Sequence, residues 1–151
     1  MIRSTTGTII DNGGLLVLNL KTQLIRDEGR RHVGYADTEG HLTIGVGHKV
    51  TTPISDAAID QILEDDIHAA RAECELIPFW TNLSEIRQAV LINMAFNMGF
   101  QGLMGFRRML AELDAGNWNQ AAQELLDSRY TKQVGARADR LALQLSTDQW
   151  V

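Results

Sequence analysis

The chain has 151 residues, a length at which a single domain can bury a sizeable apolar core. Its 14 Lys and Arg residues against 19 Asp and Glu residues give a formal net charge of -5, so no overall basic field exists to hold nucleic acid or an anionic membrane. Cys74 is the one cysteine, which excludes an intramolecular disulfide and favours folding in a reducing compartment. No apolar run approaches the roughly 18 residues of a membrane span, and residues 15–20 are too few for a cleavable signal peptide.

The first eighteen residues differ in character from the rest of the chain. Residues 5–10 are β-prone, residues 11–14 have the composition of a turn, and residues 15–18 are apolar again. Two interpretations stay open, a small hairpin and a disordered leader, because chain termini are ordered only where other elements hold them. We therefore predict an N-terminal extension over residues 1–18 and one main domain over residues 19–151.

A short helix and a small sheet are predicted to follow. Asn19 is a favourable N-cap, and apolar residues recur at helical spacing until Gly29, a residue type that commonly ends helices in the left-handed conformation. This places Glu28 in the last helical turn. Residues 32–35 and 41–46 are strand-forming and are joined by a turn-prone sequence, which predicts a small antiparallel sheet.

The chain beyond Pro53 is predicted to form a helical body, because apolar residues recur there at helical spacing between breaker residues. The predicted helices cover residues 55–77, capped by Ser55 or Asp56 and with an apolar face of Ile59, Ile62, Leu63, Ile67 and Ala70; residues 84–99; residues 104–115; residues 117–128, capped by Asn117; and residues 137–145. The second of these is apolar almost all round, as a central buried helix would be. The predicted fold class is α+β, mainly helical.

Two carboxylates stand out by their positions on these elements. Glu28 lies at a helix end and Asp37 nine residues later in a turn, so two rigid elements can present them across a cleft. Hydrolysis of a glycosidic bond uses such a pair, because one carboxylic acid protonates the leaving oxygen while one carboxylate activates water or attacks the sugar. The spacing alone is equally typical of solvated surface carboxylates.

The segment that contains both carboxylates resembles a known catalytic motif. Residues 27–48 contain Asp-Glu-Gly, Asp-Thr-Glu-Gly and Thr-Ile-Gly-Val-Gly-His in the order and at the spacings of the lysozymes of T-even bacteriophages and related endolysins, glycoside hydrolase family 24. The resemblance continues through residues 89–99, 105–106, 118–122 and 128–130, and it leaves out the N-terminal extension. It implies a lysozyme-like catalytic domain with an active-site cleft between the sheet and the helical body, and a muramidase that cleaves bacterial peptidoglycan.

The resemblance implies catalytic roles for three polar residues. Glu28 matches the family's proton donor, which must be protonated near neutral pH, and we expect partial burial in the cleft to favour that state. Asp37 matches the carboxylate that directs the attacking water, and Thr43 matches the hydroxyl that helps to hold this water. The family's reaction inverts the anomeric centre, which requires carboxyl groups roughly 6.5–9.5 Å apart. For Thr43, a strand-forming residue without a role is the alternative.

The resemblance assigns supporting roles to His48, Asp66 and Arg137, and a substrate-binding role to Phe96. His48 matches a histidine that the family pairs with an aspartate on the next helix, here Asp66, and a surface histidine is the alternative. Arg137 matches a cleft arginine near the catalytic glutamate. Phe96 lies beside the cleft in the family, where it either contacts the glycan or belongs to the core.

Two departures from the family's pattern concern substrate binding. Between His48 and the long helix this chain is shorter than the T-even enzyme, so glycan subsites on that side are expected to differ. The sequence also departs from the family at three positions that contact sugar, which are Lys49, Met109 and Glu124, and no binding role is carried over to them.

Other functions have less support in the sequence. A lytic transglycosylase also uses a glutamate as its acid, but it closes an anhydro ring with the sugar's own hydroxyl and needs no water-directing Asp37 or Thr43. A catalytically silent peptidoglycan-binding domain would be free to lose one of the three polar residues. The four histidines lack the spacing of a metal site, and Cys74 lacks a nucleophile motif, so we expect neither a metal nor a cofactor.

The resemblance also implies a partner and a place of action. The partner would be the glycan strands of peptidoglycan, bound by a monomer, with no nucleic acid and no stable membrane insertion. The enzyme would be made in the cytoplasm of the host bacterium and act in the periplasm after another protein opens the inner membrane, for host cell lysis. Association with the virion is the alternative.

Overall fold

The computed structural model describes residues 2–3, 9–10 and 12–151. The chain divides into two compact units, residues 1–55 and residues 56–151. All described strands and one helix belong to the first unit, and the second unit is helical. The mainly helical α+β architecture predicted from the sequence is confirmed.

The first unit begins with two short strands and a helix. Strand β1 (Ile2–Arg3) pairs in antiparallel fashion with β2 (Ile9–Ile10). Helix α1 (Asn12–Glu28) follows and ends at Gly29, whose φ of 74° is the left-handed conformation predicted for it.

Helix α1 begins earlier than the sequence predicts, at Asn12 and not at Asn19. The predicted turn is wrong for residues 12–14, which form the start of the helix, and Asp11 lies outside the described residues. Glycine is tolerated at a helix start, where the first N–H groups have no partner within the helix, and the apolar residues that follow continue the helical run. Residues 5–8 of the predicted strand lie outside the described residues. The separate extension over residues 1–18 stays a prediction.

A three-stranded antiparallel sheet completes the first unit. Its strands β3 (Arg31–Ala36), β4 (Leu42–Gly45) and β5 (His48–Lys49) are hydrogen-bonded in that order. The predicted sheet is thus confirmed, and β5 is an addition to it. The register places Tyr35 opposite Thr43 and Ile44 opposite His48.

The second unit is a succession of helices. In chain order they are α2 (Asp56–Cys74), α3 (Glu85–Met98), α4 (Phe100–Met104), α5 (Arg107–Asp114), α6 (Trp118–Leu126), α7 (Arg129–Val134) and α8 (Ala136–Thr147), with a 3-10 turn (Trp80–Asn82) between α2 and α3. The helix predicted to start at residue 84 begins at Glu85, and Ser84 caps it, because the Ser84 hydroxyl oxygen accepts the backbone N–H of Arg87 at 3.2 Å. None of the described helices combines the length and apolar character that crossing a bilayer requires.

The helices after α3 differ from the predicted ones in three respects. The helix predicted over residues 104–115 begins only at Arg107, because Met104 is the last residue of α4 and Gly105 and Phe106 separate α4 from α5. Asn117 occupies the N-cap position of α6 without capping it, because its side-chain amide donates to the Glu112 carboxylate at 2.8 Å instead. Helix α7 is an addition to the predicted elements.

The core of the second unit lies around α3. Val90, Leu91 and Met94 on this helix have no exposed surface, so it is the central buried helix that the sequence predicts. Helices α2, α4 and α8 contact it, and α5 and α6 complete the core. Cys74 is fully buried and burial raises its pKa to about 11, so it is a core thiol and not a nucleophile.

The apolar face predicted for α2 is buried only near its C-terminal end. Ala70 is 7% exposed, whereas the other residues of this face are 39–54% exposed, namely Ile59, Ile62, Leu63 and Ile67. Periodicity therefore identified the residues that share a face, but not how much of that face is covered.

Truncation of the central helix tests the position of the core. We expect Leu91→Ala to lower the free energy of unfolding by about 2–5 kcal/mol, because it removes fully buried methyl groups and leaves a cavity. Leu143→Ala on α8, where the leucine is 47% exposed, is the matched control and should cost less than about 1 kcal/mol. Urea denaturation measures both, and equal losses would contradict this assignment of the core.

Candidate active site

Glu28 is the last residue of α1, and its position follows from how the helix ends. The Gly29 N–H donates to the Ile25 carbonyl at 3.0 Å, and Gly29 then turns the chain out of the helix. The Glu28 side chain is exposed and lies beside Gly47, in the turn between β4 and β5. This exposure differs from the partial burial that we expected.

Asp37 lies between β3 and β4, where backbone N–H groups hold one of its oxygens. Its Oδ1 accepts the N–H of Glu39 at 2.9 Å and the N–H of His41 at 2.8 Å. The Asp37 N–H donates to the His41 carbonyl at 2.9 Å, and the Gly40 N–H donates to the Asp37 carbonyl at 3.0 Å. The side chain thus closes the turn that the sequence predicts, as aspartate commonly does.

The same contacts set the ionisation of Asp37. The backbone N–H of His41 is the main reason that the pKa of Asp37 lies below its ordinary value of 3.8; burial opposes this, and the N–H of Glu39 and the His41 ring add to the lowering. Asp37 is therefore ionised at neutral pH, as a general base must be. Because the folded pKa is depressed, the stabilisation is present at neutral pH and is lost as the pH falls through the folded value.

Thr43 is linked to Asp37 through the backbone of His41. It lies on β4, is 2% exposed, and its hydroxyl donates to the His41 carbonyl at 3.1 Å. The same carbonyl accepts the Asp37 N–H. Because the Thr43 hydroxyl proton is engaged, its oxygen is left to accept a hydrogen bond from another donor.

His41 completes this network, and the sequence analysis did not single it out as a functional residue. Its Nδ1 lies 3.3 Å from Asp37 Oδ2, 3.4 Å from Glu39 Oε2 and 3.3 Å from Lys49 Nζ. The sequence does contain one indication of this contact. His41 follows Asp37 by four residues across a tight turn, and such a turn brings the histidine ring back beside the carboxylate. Lys49 lies on β5, and its position beside His41 can be recognised only from the register of the strands.

Three residues of this network are also a group that could hold a metal ion. Asp37, Glu39 and His41 each offer one ligand atom, and these atoms lie within 4.8 Å of one another. However, the Lys49 ammonium lies 3.3 Å from His41 Nδ1 and 4.0 Å from Glu39 Oε2, so it already supplies a positive charge to the group. We assign no metal ion to it.

The two residues predicted to form a structural ion pair lie on different elements. His48 is on β5, and its Nε2 lies 3.2 Å from the Thr52 carbonyl oxygen. Asp66 is exposed on α2. Their pairing stays a prediction.

Arg137 and Phe96 line the same cavity of the second unit, which has a volume of about 400 Å³. The Arg137 guanidinium donates to the Asn93 side-chain oxygen from Nε at 3.0 Å and from Nη2 at 2.7 Å. Phe96 is 46% exposed, so its interpretation as a core aromatic is wrong, and its side chain is accessible to a ligand. The proximity of Arg137 to Glu28 and the contact of Phe96 with glycan stay predictions.

Met109 and Glu124, two of the positions that depart from the family, line a cavity of about 690 Å³. Tyr130 lines it as well, and its buried hydroxyl has no hydrogen-bond partner among the described residues. Burial raises the pKa of Tyr130, and the charge of Arg137 opposes this rise. The hydroxyl is therefore a neutral group at physiological pH.

Comparison with known proteins covers most of the chain. Residues 26–143 match the family model described as phage lysozyme. The chain is 27% identical to probable T4-type lysozyme 1 of Dictyostelium discoideum, over 87% of this chain and 96% of that protein, and 28% identical to probable T4-type lysozyme 2 of the same organism, over 83% and 92%. It is 29% identical to the pre-baseplate central spike protein Gp5 of Enterobacteria phage T4, over 86% of this chain but 28% of that protein.

Two substitutions of Asp37 test whether its side chain holds the turn. Asp37→Ala removes the acceptor of two backbone N–H groups, whereas Asp37→Asn keeps a side-chain oxygen that can accept both. We expect the amide protons of Glu39 and His41 to exchange at least about tenfold faster in the alanine variant and less than about threefold faster in the asparagine variant. Hydrogen exchange followed by NMR measures this, and unchanged rates in the alanine variant would refute the role of Oδ1.

Proposed function

Because this chain belongs to the phage lysozyme family, we propose that it is a muramidase that hydrolyses the β-1,4 bond between N-acetylmuramic acid and N-acetylglucosamine in bacterial peptidoglycan. The arrangement around Asp37 carries the proposal. One oxygen of this carboxylate is engaged by the backbone, and a buried hydroxyl whose proton is also engaged lies in the same network. Such a pair of acceptors suits the two O–H groups of a water molecule.

In this proposal Glu28 donates a proton to the leaving glycosidic oxygen. Its carboxyl group is exposed at the end of a helix, beside a glycine that leaves space for a sugar. The bond between the anomeric carbon and this oxygen breaks as the proton is transferred, and Glu28 becomes a carboxylate.

Asp37 and Thr43 act on the attacking water. Asp37 Oδ2 accepts one proton of the water as the water oxygen bonds to the anomeric carbon, and Thr43 Oγ1 accepts a hydrogen bond from the other O–H. Attack on the face opposite the leaving group inverts the anomeric centre, which requires roughly 6.5–9.5 Å between the two carboxyl groups. Proton exchange with solvent then restores both residues.

We propose that the enzyme serves host cell lysis as a bacteriolytic, antimicrobial endolysin. It is made in the host cytoplasm and reaches the peptidoglycan once the inner membrane has been opened. A place in the virion is the second candidate, since the similarity to Gp5 relates the chain to a protein named as a baseplate spike. In both settings it binds glycan strands as a monomer.

Replacement of Glu28 tests the assignment of the acid. We expect Glu28→Gln to lower the rate of peptidoglycan cleavage by about 10²- to 10⁴-fold, because glutamine keeps the shape of the side chain without a transferable proton. Glu73→Gln, at an exposed glutamate of α2, is the matched control and should cleave like the wild type. Mass spectrometry of purified peptidoglycan after incubation identifies the new chain ends.

The same experiment separates the competing functions. Reducing muramic ends produced by the wild type and the control support the muramidase. Anhydro-muramic ends would assign the chain to the lytic transglycosylases, and binding without cleavage by the wild type would assign it to silent binding domains. Wild-type rates in Glu28→Gln would overturn the role of Glu28.

Asp37→Asn tests the role of the base. Asparagine preserves the hydrogen bonds of the turn but cannot take a proton from water, so we expect hydrolysis to fall by about 10²- to 10⁴-fold without a loss of folding. Release of reducing ends and circular dichroism measure the two effects. Normal hydrolysis by the folded variant would show that another group directs the water.

A further inference from the structure

We propose that His41 is a positioning residue for this reaction, because its Nδ1 determines whether Asp37 Oδ2 is free to accept a proton from water. This inference rests on the proposed function. It concerns a side chain of this sequence for which the family resemblance supplied no role.

The two oxygens of Asp37 have different surroundings. Oδ1 accepts backbone N–H groups from Glu39 and His41 at 2.9 and 2.8 Å. Oδ2 faces the His41 ring, with Nδ1 at 3.3 Å. Oδ2 is therefore the oxygen available for water, and the histidine ring is the group that competes for it.

His41 Nδ1 has a second neighbour, which requires the opposite protonation state. The Lys49 ammonium lies 3.3 Å from the same nitrogen and can only donate. With a proton on Nδ1, the ring donates to Asp37 and cannot accept from Lys49. Without that proton, the ring accepts from Lys49 and leaves Asp37 Oδ2 unoccupied. The two hydrogen bonds exclude each other.

The charges around the ring give the direction of the pH effect. Asp37 Oδ2 and Glu39 Oε2, the latter at 3.4 Å, can each accept from a protonated Nδ1, whereas the Lys49 ammonium can donate only to an unprotonated Nδ1. The His41 side chain is 49% exposed, so it exchanges protons with solvent. As an imidazolium, His41 donates to Oδ2 and weakens Asp37 as a base; as a neutral ring with Nδ1 unprotonated, it accepts from Lys49 instead.

The pH dependence of cleavage tests this arrangement. Histidine side chains commonly change charge between about pH 5 and 8. We therefore expect the wild-type rate to fall by up to about tenfold for each unit by which the pH is lowered within this range, and we call this part of the profile the acid limb. His41→Phe should lose this limb, so that its rate falls by less than about threefold as the pH is lowered from 8 to 5. The backbone groups of His41 that hold Asp37 and Thr43 are kept in this variant.

Two further variants make the test specific. Lys49→Met should move the acid limb to higher pH, because removal of the ammonium favours the protonated ring. His68→Phe, at an exposed histidine of α2, is the matched control and should keep the wild-type profile. An identical acid limb in the wild type and His41→Phe, or no limb between pH 5 and 8 in the wild type, would overturn the proposal.

Nitrogen-15 NMR of the His41 ring gives a readout that does not depend on catalysis. We expect the neutral ring to carry its proton on Nε2, with Nδ1 as the acceptor, and this preference to weaken in Lys49→Met. A neutral ring with the proton on Nδ1 would overturn the proposal. If the wild type fails to cleave peptidoglycan, the proposed function fails, whereas the NMR result still decides the state of His41.

Discussion

The acceptance of two backbone N–H groups by Asp37 Oδ1 is the interaction on which the site depends. It closes the turn between β3 and β4, and thereby positions the His41 carbonyl that receives the Asp37 N–H and the Thr43 hydroxyl. It also gives the two carboxylate oxygens different surroundings, because Oδ1 holds the turn and Oδ2 is left available to accept another hydrogen bond. A turn aspartate can act as a base without loss of its structural role only if its two oxygens are used in this unequal way.

Two glycines determine the position and surroundings of the Glu28 side chain. Gly29 ends α1 directly after the glutamate, and Gly47, with a φ of 71°, keeps the facing turn free of a side chain. A β-carbon at Gly47 would lie 3.6 Å from Glu28 Oε2, so the glycine keeps a side chain away from this carboxyl group. The proposed acid, Glu28, is thus positioned by backbone conformation, while the proposed base, Asp37, is positioned by hydrogen bonds.

Much of the fold was predictable because its signals are local. Gly29 ends a helix, residues 37–40 form a turn, α3 starts directly after Ser84, and Val90, Leu91 and Met94 of α3 are buried. The roles predicted for Glu28, Asp37 and Thr43 came from resemblance to a family and not from spacing, since acidic residues at helix ends and turns are common on any surface.

The features that escaped the sequence analysis depend on context. The glycines after Asn12 have the composition of a turn, yet they start a helix, where unpaired N–H groups tolerate them. Phe96 fits a core position by its pattern, but no neighbour covers it fully. The contact of His41 with Lys49 requires two strands in register, and sequence spacing does not specify that register.

The configuration of the first product tests the central claim, that Asp37 directs water and does not attack the sugar, most directly. Proton NMR during the first seconds of cleavage of a soluble peptidoglycan fragment distinguishes the two anomers of the new muramic end before they interconvert. Inversion of the β-glycosidic bond predicts that the α-anomer forms first. Initial formation of the β-anomer would contradict this account and would make Asp37 a nucleophile.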